Sequence, residues 1–411
     1  MDPRSRSVLH KRTQPQRRSG MPRTSGSFCP FPRPPRMTAS DFPLSSFSTR
    51  IHKREAYIQC RLPVGRFTDP ANADTMKKFA TIMPARLGAG TPRRSIQPMD
   101  IATWNALQAG LPQWLDNSRA RTADGKTASY IPELSKADPD TLGIHIADMN
   151  GGSVSAGDCG TRFTMQSISK VFTLILALMD NGEEAVFSKV GMEPTGDNFN
   201  SMLKLELVQP GIPFNPLINA GAIVISSLIN GNSPAEKAGR ILDFISGLAG
   251  NPDLAVDDAT YYSESATGNL NRSMAYFLTD NGVLRGGVEE VLEVYFRHCS
   301  ISVTCSDLAR MAVILANDGI DPVTGQALIP RRYVQIAKTF MVTCGMYNGS
   351  GQFAIDVGLP AKSGVSGGIL ALVPGLAGIG VIGPALNPHG NSLAGVHLLR
   401  SLSREFDWSM F

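Results

Sequence analysis

The fold class this sequence predicts is α/β of the α+β kind: an antiparallel sheet built from both ends of the folded body, with a mainly helical part inserted between them. Three observations predict it. Residues 141–147 (Thr-Leu-Gly-Ile-His-Ile-Ala) alternate as a strand and run into Asp148-Met149-Asn150-Gly151-Gly152, an Asn-Gly hairpin turn. Near the C-terminus, residues 368–373 and 378–382 are two apolar runs flanking Pro374-Gly375, a second hairpin. Between them the apolar spacing is helical, as in residues 235–248 and 306–317. Asp100 is positioned to cap a first helix carrying Ile101, Trp104, Leu107, Leu111 and Leu115. A last amphipathic helix runs from Ser392 through Leu393, Val396, Leu399, Leu402 and Phe406. Sheet segments are therefore expected over about 96–165 and 340–411, and the helical part over about 166–339.

The 411 residues are 42% hydrophobic, enough for one large or two ordinary cores. The net charge of +4 is uneven. Residues 1–95 hold 19 Lys and Arg against 5 Asp and Glu, and the remainder holds 20 against 30. The basic excess thus belongs to an Arg-, Pro- and Ser-rich extension, read as disordered, which enters the fold through a linker at residues 88–92. An organelle-targeting role for it is the lesser reading, because its prolines spoil an amphipathic helix. A start site assigned too far upstream is the other. The acidic body argues against a nucleic-acid partner. No stretch is long and apolar enough for a membrane span, and no apolar leader is present, so a cytoplasmic protein is expected. The six cysteines show neither redox nor zinc spacing and read as buried free thiols.

Ser167 and Lys170 are the chemically informative pair. Three residues apart on a helix, their side chains share a face. A serine hydroxyl needs a base, and a desolvated lysine loses its charge and becomes one. The spacing recurs at Ser201 and Lys204, so context must separate the two. Ser167 directly precedes the apolar run 171–179, a buried core helix whose N-terminus carries partial positive charge. Lys204 has Asn200 and Glu206 as neighbours and reads as a solvated lysine. The S-x-x-K arrangement is that of the penicillin-recognising serine enzymes, which share the sheet-plus-helical layout.

Several blocks carry a closer resemblance. They are Tyr130-Ile131-Pro132-Glu133-Leu134, Gln166-Ser167-Ile168-Ser169-Lys170, Asn215-Pro216-Leu217-Ile218-Asn219-Ala220-Gly221-Ala222, Ser263-Glu264, Asn271, Tyr295-Phe296, Cys344-Gly345-Met346-Tyr347, residues 362–368 and residues 390–395. From about residue 100 onward, the chain resembles the serine-dependent glutaminases, which have a β-lactamase-like fold. The resemblance implies hydrolysis of the side-chain amide of L-glutamine, without a cofactor, by a homodimer or homotetramer. It makes Ser167 the nucleophile and Lys170 the general base, with Tyr130 and Tyr347 beside them. Tyr347 would help protonate the departing ammonia. It assigns the oxyanion to the backbone of Ser167 and Val365, the substrate ammonium to Glu264, and the carboxylate to Asn219, Asn271 and Tyr295.

Rival readings keep the scaffold and change the chemistry. A β-lactamase or peptidoglycan peptidase should show an S-D-N element, and Gly196-Asp197-Asn198 is only a near match. Lys362-Ser363-Gly364 resembles the K-T-G element of those enzymes. Another Ser-Lys amidase would use a serine of residues 363–368, and a non-catalytic protein would bind an amino acid without cleaving it. His145, His298, His389 and His397 are scattered, which supports neither a histidine triad nor a metal site.

Overall fold

The structure, a computed structural model, describes residues 99–196, 200–202, 205 and 211–411. The basic extension, its linker, Lys204 and Asp197-Asn198 lie outside the described residues. Helix α1 (Ile101–Arg119) begins at Asp100, whose carboxylate accepts from the Thr103 backbone N–H at 2.8 Å. Leu107, Leu111 and Leu115 are its buried stripe. Ile101, expected on that stripe, is 79% exposed. Met99, just before the Asp100 cap, enters the core instead.

Five strands form one antiparallel sheet in the order β2-β1-β8-β7-β6. These are β1 (Gly143–Asp148), β2 (Ser153–Gly157), β6 (Ala361–Ser363), β7 (Gly368–Val373) and β8 (Ala377–Ile382). Both predicted hairpins are present. Strand β1 pairs with β8 through Ile144↔Val381 and Ile146↔Ile379, so the N- and C-terminal parts close one sheet. A second sheet, β3-β5-β4, was not foreseen. Its strands, β3 (Phe163–Thr164), β4 (Ala255–Val256) and β5 (Ile301–Val303), are two or three residues long. Runs that short leave no alternation to read.

The helices between are α2 (Ser169–Phe187), α3 (Asn219–Leu228), α4 (Pro234–Ala249), α5 (Asp258–Thr267), α6 (Asn269–Asp280), α7 (Val288–Cys299), α8 (Cys305–Ala316), α9 (Arg331–Cys344) and α10 (Ser350–Asp356). Helix α11 (Leu393–Glu405) ends the fold. Apart from Thr173, helix α2 is apolar from Val171 to Leu178, and all of those residues are buried.

Each central strand serves two cores, because alternate side chains face opposite ways. Ile369, Ala371, Ile379 and Val381 join Ile144 and Ile146 beneath α1 and α11. Leu370, Leu372 and Ile382 face the other way, into the core that holds α2, α3 and α8. Helix α8, expected in the inserted helical part, instead packs on β8, β1 and β7. Two glycines permit this. A Cβ at Gly378 would lie 2.2 Å from the Val313 nitrogen, and one at Gly380 would lie 2.1 Å from the Cys305 carbonyl oxygen. Backbone fills the space a side chain would need. Among the described residues, no helix is long and apolar enough to cross a membrane.

Gly380→Val should therefore lower unfolding free energy by about 2–3 kcal/mol, the upper range for overpacking. Gly239→Ala, in α4 where an added Cβ meets nothing within 4 Å, should instead raise it by about 0.5–1 kcal/mol. Urea unfolding of the two variants beside wild type checks both signs.

Candidate active site

The nucleophile turn is held from below. Met165 donates its N–H to the Ile301 carbonyl at 2.8 Å, tying the chain to β5. A 3-10 turn, Gln166–Ile168, then leads into α2, with Gln166 at φ 48°. That left-handed conformation is costly for a residue with a Cβ and persists where the surroundings enforce it. Ser167 is buried and Lys170, one turn on, has no exposed surface. The Lys170 amine donates to Asn219 Oδ1 at 2.6 Å and to the Leu217 carbonyl at 3.4 Å. Burial pushes it down to about 8, against the upward pull of Cys299 and Glu264. No hydrogen bond joins Lys170 to Ser167 among the described contacts. The Ser167 hydroxyl is instead bonded to Tyr347.

Asn219 owes its place to the residues just before it. The Asn215 side-chain oxygen accepts from the Leu217 and Ile218 N–H groups at 3.0 and 3.2 Å, a local turn that sets the start of α3. A Cβ at Gly221 would fall 1.9 Å from the Asn215 carbonyl oxygen, so only glycine lets α3 pass so close to this turn. Asn219 Nδ2 in turn donates to Asn271 Oδ1 on α6 at 3.0 Å.

Glu264 on α5 is buried, and one carboxylate oxygen has no partner. Burial raises it to about 7, while Lys170 and a hydrogen bond from the Gln166 side chain pull it down. Tyr295 on α7 is buried, with Lys170 Nζ 5.7 Å from its ring centre. Tyr130 is 53% exposed, but its hydroxyl end is crowded and desolvation raises it well above the usual phenol value.

The sheet supplies the opposite wall. Val365 lies in the loop between β6 and β7. Neither its N–H nor that of Ser167 has a backbone acceptor among the described residues. The loop and the nucleophile turn are in contact, because a Cβ at Gly364 would lie 2.6 Å from the Met165 carbonyl oxygen. Tyr347, also left-handed at φ 53°, donates its O–H to the Ser363 carbonyl at 3.0 Å. Ser350 accepts from the Met346 N–H and donates to the Tyr347 carbonyl, clamping that conformation.

Ser167, Asn219, Glu264, Asn271, Tyr295, Val365 and Tyr130 line one cavity of about 220 Å³. Lys170 bonds to Asn219 and Tyr347 to Ser167, both of which line it. The residues that the resemblance assigned to the site thus lie together, whereas His389 and His397 line a different cavity. Three contributors were not assigned. Gln166 touches Glu264, Cys299 lines the cavity, and Lys362 is fully buried, donating to the Ser363 carbonyl at 2.7 Å with its amine 4.2 Å from the Tyr347 ring centre. Burial and the Lys170 charge hold the Lys362 amine well below the usual lysine value. The K-S-G element was the available signal for it. A larger cavity of about 290 Å³, near Arg121, His397 and Arg400, contains no nucleophile–base pair.

A buried serine, a lysine of lowered basicity one turn on, and Ser167 and Val365 N–H groups without a backbone acceptor are what a serine hydrolase of β-lactamase-like architecture requires. A family profile described as Glutaminase matches residues 125–411. A glutaminase of Alkaliphilus oremlandii is 54% identical over 305 residues, 74% of this chain and all of that one. The crystal structure of a probable glutaminase of Bacillus subtilis superposes with a TM-score of 0.70 at 41% identity, over 74% of this chain and 97% of that one. A Bacillus subtilis glutaminase in covalent complex with 5-oxo-L-norleucine superposes with a TM-score of 0.67 at 39% identity, over 74% of this chain and 99% of that one. The chain belongs to the glutaminase family, hydrolases acting on the glutamine amide.

Gly364→Ala should press the Val365 loop away from the Ser167 turn. The expected result is a fall in kcat of about 100-fold, with glutamine binding by calorimetry largely preserved.

Proposed function

We propose that Ser167 attacks the side-chain amide carbon of L-glutamine, with Lys170 as general base, and that the product ester is hydrolysed to glutamate. The observation that carries this reading is that Glu264, buried with an unpaired oxygen, shares its cavity with the nucleophile. A buried carboxylate demands a positive partner. The substrate's α-ammonium is such a partner, and it sets the amino-acid end of the ligand away from Ser167.

A neutral amine has two N–H donors and one lone pair. In Lys170 both donors are spent on the Asn219 and Leu217 oxygens, which leaves the lone pair for a proton. The Ser167 proton passes to Lys170 in the substrate complex, where catalytic hydrogen bonds tighten. The Ser167 oxygen bonds the amide carbon, and the Ser167 and Val365 N–H groups receive the oxyanion. The C–N bond then breaks. Its nitrogen takes a proton from the Tyr347 hydroxyl, which already contacts the Ser167 hydroxyl. Tyr347 recovers its proton from the Lys170 ammonium. Lys170 then takes a proton from water, whose oxygen bonds the ester carbon; the bond to Ser167 Oγ breaks, and Lys170 returns the proton to that oxygen.

Asn271 accepts from Asn219 and keeps its own amide N–H groups for the substrate carboxylate, with Tyr295 alongside. Glutamate lacks the amide hydrogens this site addresses and leaves the polar groups around them unpaired.

Ammonia release from glutamine tests the reading. Ser167→Ala and Lys170→Ala should each abolish turnover while calorimetric glutamine binding survives, and turnover by Ser167→Ala would sink the nucleophile assignment. Glu264→Gln should raise Kd for glutamine with little effect on the acyl-transfer step.

The pH profile follows from two opposed shifts. Lys170 acts when neutral, so kcat/KM, which reports the free enzyme, should climb as pH rises through about 8, and kcat should climb at a lower pH. Glu264 binds when ionised, so Kd should worsen as pH falls through about 7. A kcat/KM that instead declines across that alkaline range would exclude Lys170 as the base.

A further inference from the structure

His298, one of the scattered histidines of the sequence, is fully buried on α7. Its contacts are not ordinary. Nδ1 lies 2.8 Å from Ser169 Oγ on α2, and Nε2 lies 3.1 Å from Ser226 Oγ on α3. Its ring packs edge-on against Tyr295, with centres 5.3 Å apart. One imidazole therefore touches the helix of Lys170 and the helix of Asn219, and belongs to the helix of Tyr295.

The hydroxyls beyond it continue toward the site. Ser169 Oγ donates to the Gln166 carbonyl at 2.6 Å, the peptide immediately before Ser167, where the backbone is left-handed. Ser226 Oγ reaches the Ala222 carbonyl at 2.8 Å, inside α3. Cys299 is also hydrogen-bonded to Ser169 and brings its own S–H. Apart from that bond there are four hydrogen bonds, for which two hydroxyls and a neutral imidazole hold three protons, so one terminal bond goes without. Burial and the nearby Lys170 amine push the His298 ring down to about 3, which keeps it neutral. The shorter terminal bond is the one to Gln166. The Nδ1–H tautomer satisfies it: Nδ1–H donates to Ser169, the Ser169 proton is committed to the Gln166 carbonyl, and Nε2 accepts from Ser226. The tautomer is assigned from these bond lengths.

We propose that His298 is a positioning residue for the glutaminase reaction, holding the Gln166–Ser167 turn in its productive conformation through the Ser169 hydroxyl. It touches no reacting atom. The inference rests on the role given to Ser167, and wild-type ammonia release together with the inactivity of Ser167→Ala checks that role separately.

Asparagine puts an amide donor near the imidazole Nδ1 position, and glutamine puts one near Nε2. Under this proposal His298→Asn retains kcat within about threefold, while His298→Gln and Ser169→Ala each lose roughly 10- to 100-fold, the scale of a misplaced nucleophile. KM for glutamine changes little in all three. The double variant Ser169→Ala, His298→Gln falls no further than either single, because both remove one connection. Thermal midpoints by circular dichroism separate this from a packing role, which would lower the midpoint of all variants and leave kcat of the folded enzyme intact. Equal kcat for His298→Asn and His298→Gln overturns the proposal. If the His298 variants do not fold, Ser169→Ala decides alone, since it deletes only a hydroxyl, and wild-type kcat in it overturns the proposal.

Discussion

The site depends on burying one amine. An ammonium with no exposed surface is expensive, and that cost brings the Lys170 amine down to about 8, within reach of its neutral form. A neutral amine in the interior still needs acceptors for its two N–H groups. The Leu217 carbonyl and the Asn219 side chain supply them, and both are fixed by the Asn215 turn. That turn requires glycine at 221. The run from Asn215 to Gly221 is thus one arrangement whose output is a lysine lone pair. The hydrogen bond from Asn219 to Asn271 extends it across to α6, where the substrate carboxylate is proposed to bind.

The antiparallel sheet gives this amine something to act on. Ser167 comes from the helical side, and the Val365 N–H comes from the loop leaving β6. The two meet because Gly364 has no side chain to hold them apart. The left-handed residues of the site, Gln166 and Tyr347, sit on either side of that junction. Each such residue costs about 1–2 kcal/mol. The cost is offset by the apolar burial of α2 and by the Ser350 clamp, so core packing holds the backbone of the reacting groups in place.

Much of this was legible in the chain. The hairpins at Asn150-Gly151 and Pro374-Gly375 announced themselves through turn chemistry, and the apolar run after Ser167 through its length. The candidate site residues were legible through the family resemblance, most of them within quoted blocks such as Asn215 to Ala222, with Asn271 standing alone. What could not be read depended on tertiary contact. The two- and three-residue strands β3, β4 and β5 have no periodicity of their own. Helix α8 has the same amphipathic pattern whether it covers a sheet or other helices, and only Gly378 and Gly380 on β8 hint at which. Gln166 and His298 act through groups distant in sequence, so no local pattern marks their contacts, whereas the K-S-G element pointed to Lys362.

Lys170 and Glu264 are best understood together. Each is buried, and burial drives each toward its neutral form, while each pulls the other toward charge. In the empty site Glu264 holds Lys170 above the value burial alone would give. The proposed roles make this coupling productive. An α-ammonium docked on Glu264 satisfies the carboxylate and cancels much of its pull on Lys170. The lysine then shifts further toward the free amine at the moment substrate arrives beside Ser167. Substrate recognition and activation of the base become one electrostatic event, in which the binding energy of the amino-acid end is used at the amide end.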